Sequence, residues 1–270
     1  MDAAQLPLLN NTIGLTPNAR LWKEEHMTLA LNQSACDIAD TIMANAAQLR
    51  VDVSQVAGGG RVLDFGIAAV GGLAAGKQLA RLCMSGLGDV AIVPGDIDGI
   101  GWPHVFVETD NPLAACLFSQ YAGWQIGLKD FFAMGSGPMR AAAANEDLFD
   151  KLSYSERPAA CLGVLEGSTI PDAAVFEYIA ERTSVPPERI TLAIAPTSSQ
   201  AGNLQVVARS VETCLHKLHE LGFDVTRIVS GCGSAPLSPV AADDLSGIGR
   251  TNDAILYGGR VTLMVRGDDD

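Results

Sequence analysis

Four side chains in the segment AIAPTSSQAGNLQVVARSVETCLHKLHELGFD (193–224) have types and spacing that could do proton chemistry: Arg209, Glu212, His216 and His219. They stand three, four and three residues apart, so a helix would carry them as one stripe. A carboxyl group held by a guanidinium beside an apolar face is an acid–base device, the carboxyl moving a proton and the cation orienting it. The same pair is also the pattern of a surface ion pair, worth only about 0.3–0.5 kcal/mol. Spacing alone leaves both readings open. Glu212, His216 and His219 also suggest a metal site, yet no standard zinc signature matches, so no metal is expected.

The elements that must position this stripe are readable from periodicity. Leu204, Val207, Ala208, Val211, Leu215, Leu218 and Leu221 recur at helical spacing and predict one helix, entered from the loop Thr197-Ser198-Ser199-Gln200 and stopped by Gly222. Apolar strands are expected at 62–67, 89–93, 102–108, 160–165, 190–194, 255–257 and 261–265. Helices are expected at 34–49 (capped by Asn32 or Ser34), 73–83, 113–122 and 172–182. Strands alternating with helices indicate an α/β class. The irregular, charged stretch 145–158 is the candidate junction, dividing the chain into an N-terminal extension (1–30), a first α/β domain (31–145) and a second (146–270), with a substrate pocket between the two domains.

Two loops are further candidates for binding. Gly135-Ser136-Gly137-Pro138 leads into a helix start, where backbone N–H groups could meet an anionic or carbonyl oxygen; a plain tight turn fits equally. The glycine-rich run 66–76 lacks both the dinucleotide and the Walker registers, since Gly76-Lys77 is followed by Gln78. Its glycines are read as points of close backbone approach. Asp243, Asp244 and Asp253 read as caps or turn residues.

Composition narrows the function classes. The 270 residues carry a net charge of −13, and with no basic stripe the chain is a poor nucleic-acid binder. No apolar run reaches the ~18 residues of a membrane span, and the N-terminus lacks the layout of a signal peptide, which leaves the cytoplasm as the expected compartment. The six cysteines form no C-x-x-C pair and read as reduced core thiols. Charged residues make up only 18%, below the usual quarter, so part of the surface is expected to be covered by another subunit.

The segment 195–240 (APTSSQAGNLQVVARSVETCLHKLHELGFDVTRIVSGCGSAPLSPV) resembles the matching stretch of the methenyltetrahydromethanopterin cyclohydrolases of methanogenic archaea and methylotrophic bacteria. VLDFGIAAVGGLAAGKQLARLCMSGLGDV (62–90), FVETDNPLAACLFSQYAGWQI (106–126), FFAMGSGPMRA (131–141) and DDLSGIGRTNDAILYGG (243–259) are similar to that family in the same order. The likeness starts near Leu31, which makes Met27 a candidate start, and the family continues past the position matching Val265.

That resemblance implies a reaction: hydration of the methenyl bridge of 5,10-methenyltetrahydromethanopterin to the N5-formyl pterin, reversibly. It implies no separate cofactor, because tetrahydromethanopterin is itself the carrier, and it implies a homotrimer. By position, Glu212 would be the general acid/base and Arg209 its orienting cation. Ser136, Gly137, Thr197, Ser198 and Ser199 would be pterin or water contacts. The alternatives are a non-catalytic pterin-binding or interface paralogue lacking the C-terminal segment, and a metal-dependent hydrolase using His216 and His219.

Overall fold

A computed structural model describes residues 29–267. The reading of residues 1–30 as an extension therefore falls, apart from Leu29 and Ala30, outside the described residues. Helix α1 (Leu31–Ala44) buries Leu31, Ala35, Ala39 and Ile42, one face at helical spacing, and the short α2 (Ala46–Leu49) follows it. Asn32 is not the cap expected of it; Ala30 takes that position without a side-chain bond. Asn32 lies fully buried inside the first turn, and its amide donates to Glu156 Oε2 (2.6 Å) and the Pro138 carbonyl (2.9 Å) while accepting from the Leu162 N–H (3.0 Å). One polar side chain thus fastens α1 to the middle of the chain.

The first sheet has six strands in the order β1-β2-β8-β7-β6-β5. These are β1 (Asp52–Gln55), β2 (Arg61–Asp64), β5 (Trp124–Leu128), β6 (Phe131–Ser136), β7 (Cys161–Glu166) and β8 (Ile190–Ala195). Strands β2, β8 and β7 run parallel at its centre. Strand β8 is buried along its whole length and β7 over all but its last residue, as continuous apolar runs in a parallel core should be. The second sheet is antiparallel, in the order β10-β9-β4-β3: β3 (Asp89–Ile97), β4 (Ile100–Thr109), β9 (Ile228–Pro236) and β10 (Arg260–Val265). Both sheets draw strands from either side of residue 145, and the stretch 145–158 contains a helix of its own. The remaining helices are α3 (Leu73–Cys83), α4 (Met139–Ala143), α5 (Asp147–Leu152), α6 (Ala173–Thr183), α7 (Gln200–Val207), α8 (Ser210–Glu220) and α9 (Asp244–Gly258).

Three expectations change. The single helix after residue 200 is two helices, α7 and α8, broken at Ala208 and Arg209. The segment 113–122 is π-helical over Leu113–Gln120, every residue buried, and Tyr121 N–H closes it on the Cys116 carbonyl, five residues back. The strand expected at 255–257 is the end of α9, whose Asp243 cap accepts from the Ser246 N–H (2.8 Å). β-Branched and aromatic propensity loses there to a well-capped helix whose Gly247 and Thr251 face inward.

The parallel strands end level with one another, since Asp64 pairs with Ile194 and Glu166 with Ala195. In open parallel sheets ligands bind beyond these carboxyl ends. Two features build that edge. Asp64 accepts four backbone N–H groups, from Gly66, Ile67, Ala68 and Ala69, at 2.7–2.9 Å, folding the glycine-rich loop over its own carboxylate. Helix α3 then crosses α7 where a Cβ on Gly76 would lie 2.9 Å from the Leu204 Cβ, so only glycine allows the contact. Asp64→Asn turns two acceptor sites into an N–H₂ facing N–H groups. It should lower unfolding stability by about 1–3 kcal/mol, read as a shift in the urea midpoint with an unchanged slope.

Candidate active site

Helix α7 begins where β8 ends, with Ser199 as its cap: the hydroxyl accepts from the Gly202 N–H (3.0 Å) and donates to the Pro196 carbonyl (2.8 Å). The chain turns at Arg209 and restarts as α8, so Arg209 occupies the cap of α8 and Glu212 its first turn. Both side chains are buried, at 5% exposure each.

Arg209 is held by a residue that the sequence reading did not select. Its Nη2 lies 2.6 Å from Glu166 Oε1 and donates also to Ser136 Oγ at 3.3 Å. The Gln205 amide reaches the same Glu166 oxygen (3.5 Å) and the Cys83 sulfur (3.1 Å). Burial works against the guanidinium charge, but Glu166 outweighs it with help from Cys83 and Glu212, and the Arg209 pKa is raised. The available signal for Glu166 was its place, a charged residue closing an otherwise apolar strand at the carboxyl edge of the sheet.

Glu212 experiences the opposite balance. Burial pushes its carboxyl up to about 7; Arg209 and then Arg140 pull it down, and Glu166 adds a further upward push. With Arg209 engaged by Glu166, Glu212 is left as a buried carboxyl that changes protonation near neutrality, as a general acid/base requires. Arg140 is itself fully buried, bidentate to Glu146 (2.8 and 2.6 Å) and bonded to the Leu117 carbonyl (2.9 Å). It lies 4.9 Å from the centre of the Tyr121 ring, and His216 stacks on Tyr121 at 4.3 Å. His216 is therefore a ring partner, and among the described residues no three His, Cys, Asp or Glu side chains gather as metal ligands.

The other expected contacts divide. Ser136 belongs to the Arg209 network and donates to the Val164 carbonyl (3.2 Å). Gly137 uses its positive φ of 84° for the turn, and its N–H is taken by the Ser119 carbonyl (2.8 Å), leaving no donor there for a ligand. Ser198 gives its N–H and hydroxyl to Asp244 (2.9 and 2.7 Å), tying the loop to α9. Thr197 lines a cleft of about 420 Å³ whose walls include Lys129, Phe132, Met134, Glu166 and Ile248. Glu166 thus faces the cleft on one side and Arg209 on the other. A second cleft of about 440 Å³, at Asp89, Glu108, Asp110 and Ser230, has no lysine or arginine in its lining.

The family described as Cyclohydrolase (MCH) matches residues 30–270. This chain belongs to that cyclohydrolase family. Its relatives include the methenyltetrahydromethanopterin cyclohydrolases of Methylobacterium sp. (strain 4-46), 46% identical over 89% of this chain and 75% of the relative, and of Rhodopirellula baltica, 46% identical over 89% and 73%. The cyclohydrolase of Methanosarcina barkeri is 40% identical over 90% of this chain and 76% of its own length.

Two outcomes follow for the ionisation of Glu212. In Glu166→Gln, Glu212 loses a like charge and Arg209 is released towards it, so both changes lower its pKa; the carboxyl band in infrared titration should move to lower pH. An unmoved band would show that Glu166 does not govern the pair. The second outcome concerns stability. The folded pKa of about 7 lies above the unfolded 4.5, so ionising Glu212 costs stability progressively as pH rises from 4.5 through 7. Glu212→Gln should therefore gain stability over the parent at pH 8 and not at pH 4, by at most about 3 kcal/mol, measured by thermal unfolding at the two pH values.

Proposed function

We propose that this chain hydrates the methenyl bridge of 5,10-methenyltetrahydromethanopterin to N5-formyltetrahydromethanopterin, and catalyses the reverse closure, with Glu212 as the general acid/base and Arg209 as its orienting cation. The observation that carries the reading is the buried Glu212 carboxyl poised near 7 beside an Arg209 anchored by Glu166. The bridging carbon lies between two nitrogens in a cation and is already electrophilic, so the step asks only for water, a base and an acid, and no cofactor.

The proton account is simple. Ionised Glu212 takes one proton from water as the oxygen bonds to the bridging carbon, giving a neutral carbinolamine. The same carboxyl then gives that proton to the departing nitrogen as its carbon–nitrogen bond breaks. The hydroxyl loses its proton as the formyl group forms, so one proton is released per turnover. Arg209 holds the water and the developing oxygen charge, an electrostatic contribution that grows in a dry site. The cleft beside Glu166 offers Phe132, Met134 and Ile248 as apolar walls for a flat ring system. Ser136 supports the site through Arg209, and Thr197 lies on the cleft wall. No helix among the described residues is long and apolar enough to cross a membrane, and the reading extends to a cytoplasmic homotrimer. Leu245 (82% exposed), Leu256 (66%) and Tyr257 (86%) on α9 supply apolar surface for assembly.

The deciding experiment follows the methenyl-pterin absorbance with purified protein and a chelator present. Decay is expected, with a rate that rises with pH through about 7 as Glu212 ionises. Glu212→Gln should lose at least ~10²-fold in turnover while still binding the pterin. Unchanged turnover in that variant would refute the assignment. Binding without decay in the parent protein would instead favour a non-catalytic pterin binder.

A further inference from the structure

The break between α7 and α8 has a specific cause. In a continuous helix the Ala208 carbonyl would accept the N–H of Glu212, four residues on. Here it accepts the side-chain amide of Gln120 at 3.1 Å. The Arg209 N–H closes instead on the Val206 carbonyl (3.0 Å), a tighter turn than the α-helix makes. Nothing in the local sequence VVARSV requires this, for it contains neither glycine nor proline.

Gln120 is placed for the task. It is fully buried at the end of the π-helical segment, and its Oε1 meets no hydrogen-bond partner. Both of its chain neighbours are tied to the site. The Ser119 carbonyl accepts from the Gly137 N–H (2.8 Å) and from Arg140 Nη1 (3.4 Å), and the Tyr121 ring stacks on His216 of α8. A glutamine with one half of its amide unsatisfied is an expensive way to fill a core, costing about 1–3 kcal/mol, unless the other half has a job.

We propose that Gln120 is a positioning residue for the Arg209–Glu212 pair: by capturing the Ala208 carbonyl it holds the helix open at Arg209, which turns the guanidinium toward Glu166 and Ser136 and away from Glu212. The inference rests on the cyclohydrolase reading for its kinetic consequence, but not for its structural one. Without the capture, α7 and α8 can join through the Glu212 N–H, and Arg209 is rotated out of its place.

The test is Gln120→Met, which keeps the length of the side chain and removes both the donor and the unpaired oxygen. Glu212 feels charge from Arg209 on the helix turn, Arg140 on α4 and Glu166 on β7, and its own charge reaches Cys116 of the π-helical segment and Tyr121 just beyond it. Of these, only Arg209 is expected to move. In a joined helix Arg209 and Glu212 become neighbours three residues apart, so the downward pull of Arg209 on Glu212 strengthens, and the infrared titration of the Glu212 carboxyl, identified by its loss in Glu212→Gln, should shift to lower pH. The measurement needs no substrate, so it stands whether or not the protein turns over the pterin. In the catalytic assay kcat should fall by roughly 10²-fold, as for an ångström-scale misplacement of a reacting group, with KM altered by less than the fall in kcat. Should the methionine variant not fold, Gln120→Asn, whose shortened amide falls short of the carbonyl, is expected to give the same downward shift. A Glu212 titration at the parent position in a folded variant, with any loss confined to thermal stability, would overturn the proposal.

Discussion

Half-buried Glu166 and buried Arg209 form an ion pair that sets the electrostatic surroundings of Glu212. Were Arg209 free to move toward Glu212, its cation would hold that carboxyl lower. Because Arg209 already has a carboxylate partner at 2.6 Å, burial dominates at Glu212 and holds it up near neutrality. Two carboxylates around one guanidinium therefore receive different roles from position alone.

That pair exists because two elements end at the same place. Strand β7 delivers Glu166 at the carboxyl edge of the parallel strands, and β8, its neighbour, leads directly into α7 and so to Arg209. The sheet fixes the distance, the capped start of α7 fixes the direction, and the Asp64 turn with Gly76 seats α3 against α7 from the other side. Polar anchors at element ends locate the site, while the apolar interior supplies the rigidity behind them.

Much of this could be read from the chain and some could not, for physical reasons. The apolar runs of β7 and β8 are local patterns, and they carried through to the structure; the Arg209–Glu212 spacing was legible too, but Arg209 stands at the turn before the helix that carries Glu212. Glu166 is 43 residues from Arg209, and no local pattern announces a partner at that range. The break at Arg209 was invisible because its cause, the Gln120 amide, lies 88 residues from the Ala208 carbonyl it captures. The π-helical path of 113–120 was read as an ordinary helix because hydrophobic periodicity barely distinguishes the two. The long β3–β4 hairpin was read short at both strands. Its turn, Asp98-Gly99, has positive φ at both residues, a signal that composition does carry. The loop serines were legible as site neighbours, but their hydroxyls serve a helix cap and Asp244.

The interleaving of the sheets bears on how the chain reaches this state during synthesis. Strand β2 must wait for β8 before it has a parallel neighbour, and β4 must wait for β9. Pairings of such sequence separation are slow to form and reward the chain late. A nascent chain ending before residue 190 therefore presents β2 and the β3–β4 hairpin with open edges, the condition in which strands of different chains find each other. The fold that brings Glu166, Arg209 and Glu212 together thus closes those edges only once β8 and β9 have been made.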